Sequence, residues 1–334
     1  MFLEFILVFI LSLVLVYLVK HYAPKLGLMD IPNDRSSHCS IIPRGAGIGF
    51  YLAVALILPI FYFDLMLSHI WSIVAILFVF IVGMLDDHHD TSPNAKFIVI
   101  IISTIFLSFD GLIIDNMGTF FGVPITLGWF AIPFTIFAVV GFTNALNLID
   151  GLDGLAATIS IVILGTFMTI GYQHHDVFMI LLSGSFLFSI LAFLIFNWYP
   201  ASIFMGDSGS LTLGFVISLL AIKSLSYIST ISILFIAAIP ILDTVIVMVR
   251  RKIRGRSVFC ADRCHLHHIL RHFFAEDTPK TVLFLAILQL IYSMTALQLD
   301  KDMDEGYLLV LFILNIVMLY LFLEAMIKRQ KRDC

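Results

Sequence analysis

The chain has 334 residues, of which 60% are hydrophobic and only 13% are charged, and its mean hydropathy is +1.06. Soluble domains carry about 25% charged residues, so this composition excludes a soluble globular protein and predicts one that crosses a membrane many times. The net charge of −4 says little by itself, because the distribution of charge matters more than the sum in a membrane protein. No nucleic-acid partner is expected.

The apolar segments define the predicted architecture. A membrane-spanning helix needs about 20 mostly apolar residues, and the chain contains about eleven such segments with no visible internal repeat. We therefore predict a single all-α, polytopic membrane domain over residues 1–334. The predicted spans lie at roughly 2–20, 45–63, 68–85, 94–109, 127–145, 154–172, 177–196, 209–223, 227–249, 281–299 and 307–327.

The lysines and arginines predict the orientation. If eleven spans alternate, 17 of the 19 basic residues lie on one side, and only Lys223 and Lys301 lie on the other. Such an excess marks the cytoplasmic side, which places the N-terminus outside and the C-terminus in the cytoplasm. The first span has no basic residues before it and is expected to remain as an anchor rather than be cleaved. Cytoplasmic loops are expected at about 21–44, 86–93, 146–153, 197–208 and 250–280.

The four cysteines show no secretory disulfide pattern. All of them fall in the predicted cytoplasmic segments, where thiols stay reduced. The outer loops carry acids instead, and we interpret these as solvated side chains without chemistry. The cysteines are Cys39, Cys260, Cys264 and Cys334, and the outer acids include Asp110, Asp115, Asp176, Asp304 and Glu305.

The first two cytoplasmic loops contain candidate phosphate and metal sites. Arg44 precedes a glycine-marked helix start, which suits either an anion or a plain positive-inside anchor. The second loop opens with Asp86-Asp87, and Lys96 begins the next span. Adjacent carboxylates repel each other unless a cation or proton compensates, and Mg²⁺ sites use one or two carboxylates plus substrate phosphates. A solvated acidic turn is the alternative.

The third loop, Asn144 to Leu155, is the most unusual stretch of the chain. Asn147, Asp150 and Asp153 follow a long apolar run, with glycines at 151 and 154. Charges near hydrocarbon cost roughly 2.5–3.5 kcal/mol each on insertion scales and therefore mark a functional site by default. The alternative is ordinary turn chemistry, since Asp-Gly pairs favour turns.

The fourth loop contains Phe204-Met-Gly-Asp207-Ser-Gly-Ser210 just before an apolar helix. Asp207 is a candidate metal ligand, with small neighbours that leave room for a phosphate, or else a helix N-cap. Farther on, Asp243 lies inside the predicted ninth span, where an acid faces the protein interior or a neighbouring helix.

The last large loop combines eight basic residues with a histidine cluster at 265–268. Positive charge here could hold lipid headgroups or a nucleotide pyrophosphate. Zinc binding by Cys260, Cys264 and the histidines is an alternative, although their spacing matches no usual zinc ligand pattern. All polar clusters fall on the cytoplasmic side, which predicts phosphoryl chemistry between a soluble nucleotide and a lipid at a cleft open to that side.

These motifs, taken in order, resemble those of the polyprenyl-phosphate N-acetylhexosamine-1-phosphate transferases of glycosyltransferase family 4. That superfamily includes WecA-like initiators of surface polysaccharide and MraY-like enzymes of peptidoglycan synthesis. The resemblance implies a helical membrane fold and Mg²⁺-dependent transfer of a sugar-1-phosphate from a UDP-N-acetylhexosamine to undecaprenyl phosphate, with release of UMP. Mn²⁺ is the alternative metal. The motifs are Asp86-Asp87, Asn144-x-x-Asn147-x-x-Asp150-Gly-x-Asp153-Gly-Leu155, Phe204-Met-Gly-Asp207-x-Gly-Ser210 and His265-x-His267-His268.

The resemblance also implies residue roles. Asp207 would be the Mg²⁺ ligand, Asp86 a base on the lipid phosphate, and Asp87 its partner near the metal. Phe204 would stack on uracil. The remaining nucleotide- and sugar-binding residues would be Asn147, Asp150, Asp153, Asp262, Arg263, His265, His267 and His268, and those for the lipid phosphate or another anion His38, Arg44 and Lys96.

Several questions stay open on the sequence. The histidine motif after Asp262-Arg263 favours the WecA-like branch and GlcNAc-1-phosphate, in the bacterial inner membrane. Arg35-Ser-Ser-His38 resembles instead the O-antigen initiators that take 6-deoxy-N-acetylhexosamines such as FucNAc or QuiNAc. A cation-coupled transporter and a non-catalytic scaffold are alternatives from other classes. The mechanism is either direct displacement or a two-step route through an aspartyl intermediate, and a homodimer is an open alternative to a monomer.

Overall fold

A computed structural model describes residues 1–32, 41–89, 91–255, 257, 265–299 and 301–330. The described chain is 77% helical, which confirms the all-α class. Its helices are α1 Phe2–Leu26, α2 Ala46–Ser68, α3 Ile70–His89, α4 Pro93–Phe109, α5 Ala131–Ile149, α6 Leu155–Gln173, α7 Val177–Asn197, α8 Asp207–Ser224, α9 Ser232–Ile236, α10 Ala238–Ile253, α11 Leu266–Phe273, α12 Thr278–Gln298 and α13 Glu305–Gln330.

Eight helices in the described part of the chain are long and apolar enough to cross a bilayer, namely α1, α2, α3, α5, α6, α7, α12 and α13. This confirms a membrane protein with many spans. The other expected spans coincide with α4, which has 17 residues, with α8, and with the pair α9–α10. The total of eleven crossings stays a prediction.

The central helix of the bundle is α8, because 15 of its 18 residues are buried. It packs against α2, α3, α5, α6 and α7. Small residues allow this close approach: a Cβ on Gly214 would lie 2.7 Å from the Cα of Thr143 in α5. Small residues at helix interfaces are typical of membrane bundles. The central helix begins at Asp207, so the most enclosed element of the fold presents that carboxylate at its end.

The ninth expected span, 227–249, is not one helix. The chain breaks at Ala237, between α9 and α10, and Pro240 in the first turn of α10 needs no N–H partner. The fully buried Gln289 of α12 satisfies the broken backbone: its side chain accepts from Ile239 N at 2.9 Å and donates to Ile236 O at 2.7 Å. A buried amide thus replaces the helix hydrogen bonds that the break removes.

Two short antiparallel hairpins were not predicted. Strands β1 (Met29–Asp30) and β2 (Ile42–Pro43) pair in the first loop, and β3 (Asn116–Phe120) and β4 (Val123–Thr126) pair between α4 and α5. Each lies within a segment that composition alone assigns to a loop.

The prediction that the outer acids are merely solvated is wrong for several of them. Asp110 accepts from the backbone and hydroxyl of Ser72, and Asp176 caps α7 and accepts from Tyr227. Glu305 accepts from the amides of Thr230 and Ile231. Asp110 and Asp176 thus hold the first turns of α3 and α7, and Glu305 holds loop backbone, because N–H groups without helix or strand partners need an acceptor.

Candidate active site

The polar motifs meet in one cleft where α3, α5 and α8 present their ends. The cleft has a volume of about 340 Å³, which is within the range of small-molecule sites. It joins residues from all four predicted motifs. The lining residues are Asp30, Arg44, Asp86, Asp87, Asn147, Asp150, Gly151, Leu152, Asp153, Asn197, Phe204, Gly206, Asp207 and His268.

Asp87 caps the N-terminus of α8 from a different helix. Its two carboxylate oxygens accept hydrogen bonds from Asp207 N at 2.7 Å and from Ser208 N at 3.0 Å. The residue in the usual capping position is Gly206, and its φ of 73° favours glycine. A Cβ added to Gly206 would lie 2.5 Å from both carboxylate oxygens of Asp87. A carboxylate at a helix N-terminus is stabilised by the free amides and by the helix dipole. Asp87 therefore holds Asp207 in position.

The Asp207 carboxylate lies between an amide and an ammonium group. Its Oδ1 accepts from Asn147 Nδ2 at 3.0 Å, and its Oδ2 lies 2.6 Å from Lys96 Nζ. Lys96 also approaches Asp86 Oδ2 at 2.9 Å, while Asp86 Oδ1 accepts from the backbone and hydroxyl of Thr91. Asn147, predicted on the nucleotide side, thus also orients the candidate metal ligand.

The small residues near Asp207 allow close packing of the protein, which differs from the predicted function. We expected them to leave room for a phosphate, but a Cβ on Gly209 would lie 2.3 Å from Met205 Cγ, and one on Gly83 would lie 2.4 Å from Asp207 O. Protein atoms already fill these positions. The glycines allow α3 and the loop before α8 to pack closely, which brings Asp86 and Asp87 to Asp207.

The loop between α5 and α6 is fastened to the loop before α8. Asp153 Oδ2 accepts from Ala201 N at 2.9 Å. The buried Asn197 accepts from Gly154 N at 2.9 Å and donates to Ile203 O at 3.0 Å. Sequence reasoning missed Asn197 and Asp30 as cleft residues. Asn197 ends an apolar run as Asn147 does, and that was the available signal.

Asp150 is the least compensated acid of the cleft. Burial, followed by repulsion from Asp207, Asp87 and Asp153, raises the pKa of Asp150 to about 7. Among the residues that the structure describes, none donates a hydrogen bond to this carboxylate. A cation in the cleft would favour its ionised form.

The charges of the cleft fit a hard divalent cation that is shared with a phosphate ligand. Among the residues that the structure describes, six aspartates and one arginine line it. Within the described ranges, no three His, Cys, Asp or Glu side chains are grouped closely enough to hold an ion by themselves. Mg²⁺ is commonly bound by one or two carboxylates plus substrate phosphates. The described residues therefore contain no cluster of ligands that would support the zinc alternative. Cys260 and Cys264 lie outside the described residues.

The histidines are separated by the structure. His268 lines the cleft. His267 is buried behind Gly151, and burial lowers the pKa of His267 to about 3, so that its ring is neutral. His265 donates from Nδ1 to Asp243 at 2.7 Å and does not line the cleft. His38, Asp262 and Arg263 lie outside the described residues.

The fold and the cleft together define a multi-spanning membrane protein with an aspartate-rich site of small-molecule size at its helix ends. Residues 69–225 match the model of glycosyl transferase family 4. The chain is similar to a probable undecaprenyl-phosphate N-acetylglucosaminyl 1-phosphate transferase of Bacillus subtilis, with 34% identity over 325 residues that cover 94% of this chain and 89% of the relative.

Two further relatives are named undecaprenyl-phosphate alpha-N-acetylglucosaminyl 1-phosphate transferase. The Yersinia pestis protein is 32% identical over 80% of this chain and 76% of its own length, and the Escherichia coli K12 protein is 29% identical over 93% and 88%. The chain therefore belongs to the polyprenyl-phosphate N-acetylhexosamine-1-phosphate transferases of glycosyl transferase family 4, and the resemblance seen in the motifs is confirmed.

Proposed function

We propose that the protein transfers GlcNAc-1-phosphate from UDP-GlcNAc to undecaprenyl phosphate and releases UMP, which starts a cell-surface polysaccharide. One observation carries the proposal: carboxylates from three separate helix ends, with an arginine and a histidine, line a single cleft. The names of the relatives support this donor and this lipid acceptor.

The reaction we propose is a direct displacement. A phosphate oxygen of the lipid attacks the β-phosphorus of the nucleotide sugar, and the bond from that phosphorus to the bridging oxygen breaks, so that UMP leaves. The lipid phosphate is already largely ionised near neutral pH because its second pKa is near 6, and proton removal by Asp86 is therefore of minor importance. Asp86 is, moreover, held by Thr91 and Lys96. The two-step route through an aspartyl intermediate is the alternative.

Asp207 is the residue we assign to Mg²⁺, with Mn²⁺ as the alternative ion. The metal would supply neutralisation of the diphosphate and of the leaving UMP, which is the main requirement of phosphoryl transfer. Asp87 lies next to this position, but both of its oxygens hold the first amides of α8. Its contribution is then to aim Asp207, with Asn147 and Lys96 fixing the two carboxylate oxygens.

The rest of the cleft is assigned to the two substrates. We assign Asn147, Asp150, Asp153, Phe204 and His268, all of which line the cleft, to the nucleotide and sugar side, with Phe204 assigned to stack on uracil. Arg44 and Lys96 form the lipid-phosphate side. His38, Asp262 and Arg263 keep the roles implied by the motifs.

We further propose that the cleft opens to the cytoplasm of a bacterial inner membrane, with the N-terminus outside and the C-terminus in the cytoplasm. Arg44, Lys96 and Arg250 all lie toward the ends of elements expected on one side, as the positive-inside rule requires. The soluble UDP-sugar would then enter the cleft from the cytoplasm, and the lipid phosphate from the surrounding bilayer.

The test is UMP release by the purified protein, with a panel of UDP-N-acetylhexosamines and undecaprenyl phosphate in detergent. We expect UMP from UDP-GlcNAc only when the lipid and Mg²⁺ are both present, and at least about 100-fold less from an Asp207→Asn control. Greater turnover with a 6-deoxy donor would replace GlcNAc by that sugar. No UMP from any donor, together with ion-coupled uptake in proteoliposomes, would support the transporter alternative instead.

A further inference from the structure

Asp243 contacts the histidine loop although 22 residues separate it from His265. It lies in α10 and is only 1% exposed. Its Oδ2 accepts from His265 Nδ1 at 2.7 Å, and its Oδ1 accepts from the backbone N of Leu266. Leu266 is the first residue of α11, and His265 is its N-cap residue. Asp243 therefore caps α11 from a neighbouring helix, in the same way that Asp87 caps α8.

The geometry defines the protonation of the His265 ring. A buried carboxylate needs a donor for each oxygen, and Leu266 N serves only Oδ1. The proton of His265 must then be on Nδ1, facing Oδ2. His267 Nδ1 is 3.9 Å from the same oxygen, which is too far for a hydrogen bond. The contact between Asp243 and His265 is thus specific to the first histidine of the motif.

The position of α11 leaves little room for movement. Asp243 precedes the end of α10 by ten residues, or about 15 Å of helix, so α11 begins beside the first half of α10 and not beyond its end. The buried side chains of Leu266, Ile269 and Leu270 hold one face of α11 in the core. On the other side, His267 Nε2 would lie 2.6 Å from a Cβ on Gly151, and His268 reaches the cleft.

We propose that Asp243 and His265 form an anchor that positions α11, and with it His268, on the donor side of the cleft. Asp243 and His265 are then positioning residues, and His268 is the histidine of the motif that contacts the nucleotide sugar. The inference rests on the proposed function, since it assigns the donor to that side. It also changes the expectation for His265, which acts through Nδ1 and Asp243 rather than by touching the substrate.

Two substitutions at His265 separate these roles. His265→Asn places an amide N–H where Nδ1 stands and keeps the bond to Asp243, whereas His265→Gln places its amide where Nε2 stands and loses that bond. Asp243→Leu keeps the approximate shape and removes both acceptors. The matched control is Asp176→Leu, which removes a buried capping carboxylate at the opposite end of α7, about 31 Å from the cleft by the length of that helix.

The first measurement is the KM for each substrate in the UMP-release assay. Small displacements of positioning groups cost up to 100-fold, so we expect the donor KM to rise about tenfold or more in Asp243→Leu and His265→Gln. The KM for undecaprenyl phosphate should not change, and His265→Asn and Asp176→Leu should keep a donor KM close to that of the wild type. Equal losses in His265→Asn and His265→Gln would overturn the proposal, because the ring would then act on the donor directly.

The second measurement does not depend on activity. Hydrogen–deuterium exchange of a peptide covering residues 265–273 should be faster in Asp243→Leu and His265→Gln than in the wild type, and unchanged in His265→Asn and Asp176→Leu. Wild-type exchange in Asp243→Leu would overturn the anchor. If the wild-type protein releases no UMP from any donor, the proposed function fails, and the exchange data still decide whether the anchor exists.

Discussion

Replacing Asp150 by asparagine should stabilise the metal-free protein at neutral and alkaline pH. The pKa of Asp150 is about 7, against an ordinary value of 3.8, because burial and three neighbouring carboxylates disfavour the charge. A difference of about three in pKa corresponds to at most about 4 kcal/mol. The side chain faces the cleft, where water screens the repulsion, so we expect a gain of about 1–2 kcal/mol, or about 1.5–3 °C in Tm.

The sign of the pH dependence follows from linkage. Below about pH 4 the carboxyl is protonated in both the folded and the unfolded chain, and Asp150 has no cost. Between about pH 4 and about pH 7 the unfolded carboxyl ionises while the folded one keeps its proton, so wild-type stability falls as the pH rises. Asp150→Asn lacks this loss, and its advantage should be complete at about pH 8.

The assay is thermal unfolding in detergent with EDTA, at about pH 5 and at about pH 8. We expect the Tm difference between Asp150→Asn and the wild type to grow with pH and to shrink when Mg²⁺ replaces EDTA. Asp176→Asn is a control in which the expected change in stability has the opposite sign. Burial alone would raise the pKa of Asp176, but hydrogen bonds from Met179 and Tyr227 lower it. Asp176→Asn should therefore lose stability at about pH 8. A lower Tm for Asp150→Asn at the higher pH would refute the reasoning.

Two further predictions concern the metal ligand and the broken helix. Asp207→Asn should reduce UMP release by about 100-fold or more at saturating Mg²⁺, whereas Asp86→Asn should lose less because the lipid phosphate is already ionised; near-normal turnover of Asp207→Asn would make the metal assignment wrong. Gln289→Leu leaves Ile239 N and Ile236 O without their partner, at about 1–3 kcal/mol each, so its Tm in detergent should fall clearly below that of the wild type, and an unchanged Tm would show that the α9–α10 break does not depend on this amide.

That the acids meet on one face followed from the sequence, and the shared cleft confirms it. Asp86, Asp150 and Asp207 each stand at the end of an apolar run, and alternation of the runs places all three ends on one face. The basic residues crowd the same loops and predict that this face is cytoplasmic, which stays a prediction. Which acid does what did not follow. Asp87 was expected beside the metal, yet its two oxygens hold the amides of α8.

Other features depended on contacts between distant parts of the chain. The pattern of residues 227–249 predicts one helix, and the break at Ala237 is sustained by Gln289, which is 50 residues away from Ile239. Asp243 was noticed as an acid inside a span, but its bond to His265 requires the start of α11 to lie beside α10. The sequence around Gln289 or Asp243 does not indicate which group its side chain contacts. A single polar residue in an apolar run can bond to many different groups in the protein interior.

The amino-acid sequence by itself determined the class of fold, the shared face of the polar loops and the family. A bilayer requires each span to have a certain length and hydropathy, and it favours Lys and Arg in the loops of one side. The tertiary structure alone decided which groups each carboxylate contacts. Those contacts depend on which helix ends become neighbours: Asp87 reaches the amides of α8 only because Gly83 and Gly206 let α3 approach it. Asp243 reaches the start of α11 only because α11, which packs on α12 and α13, begins beside that carboxylate.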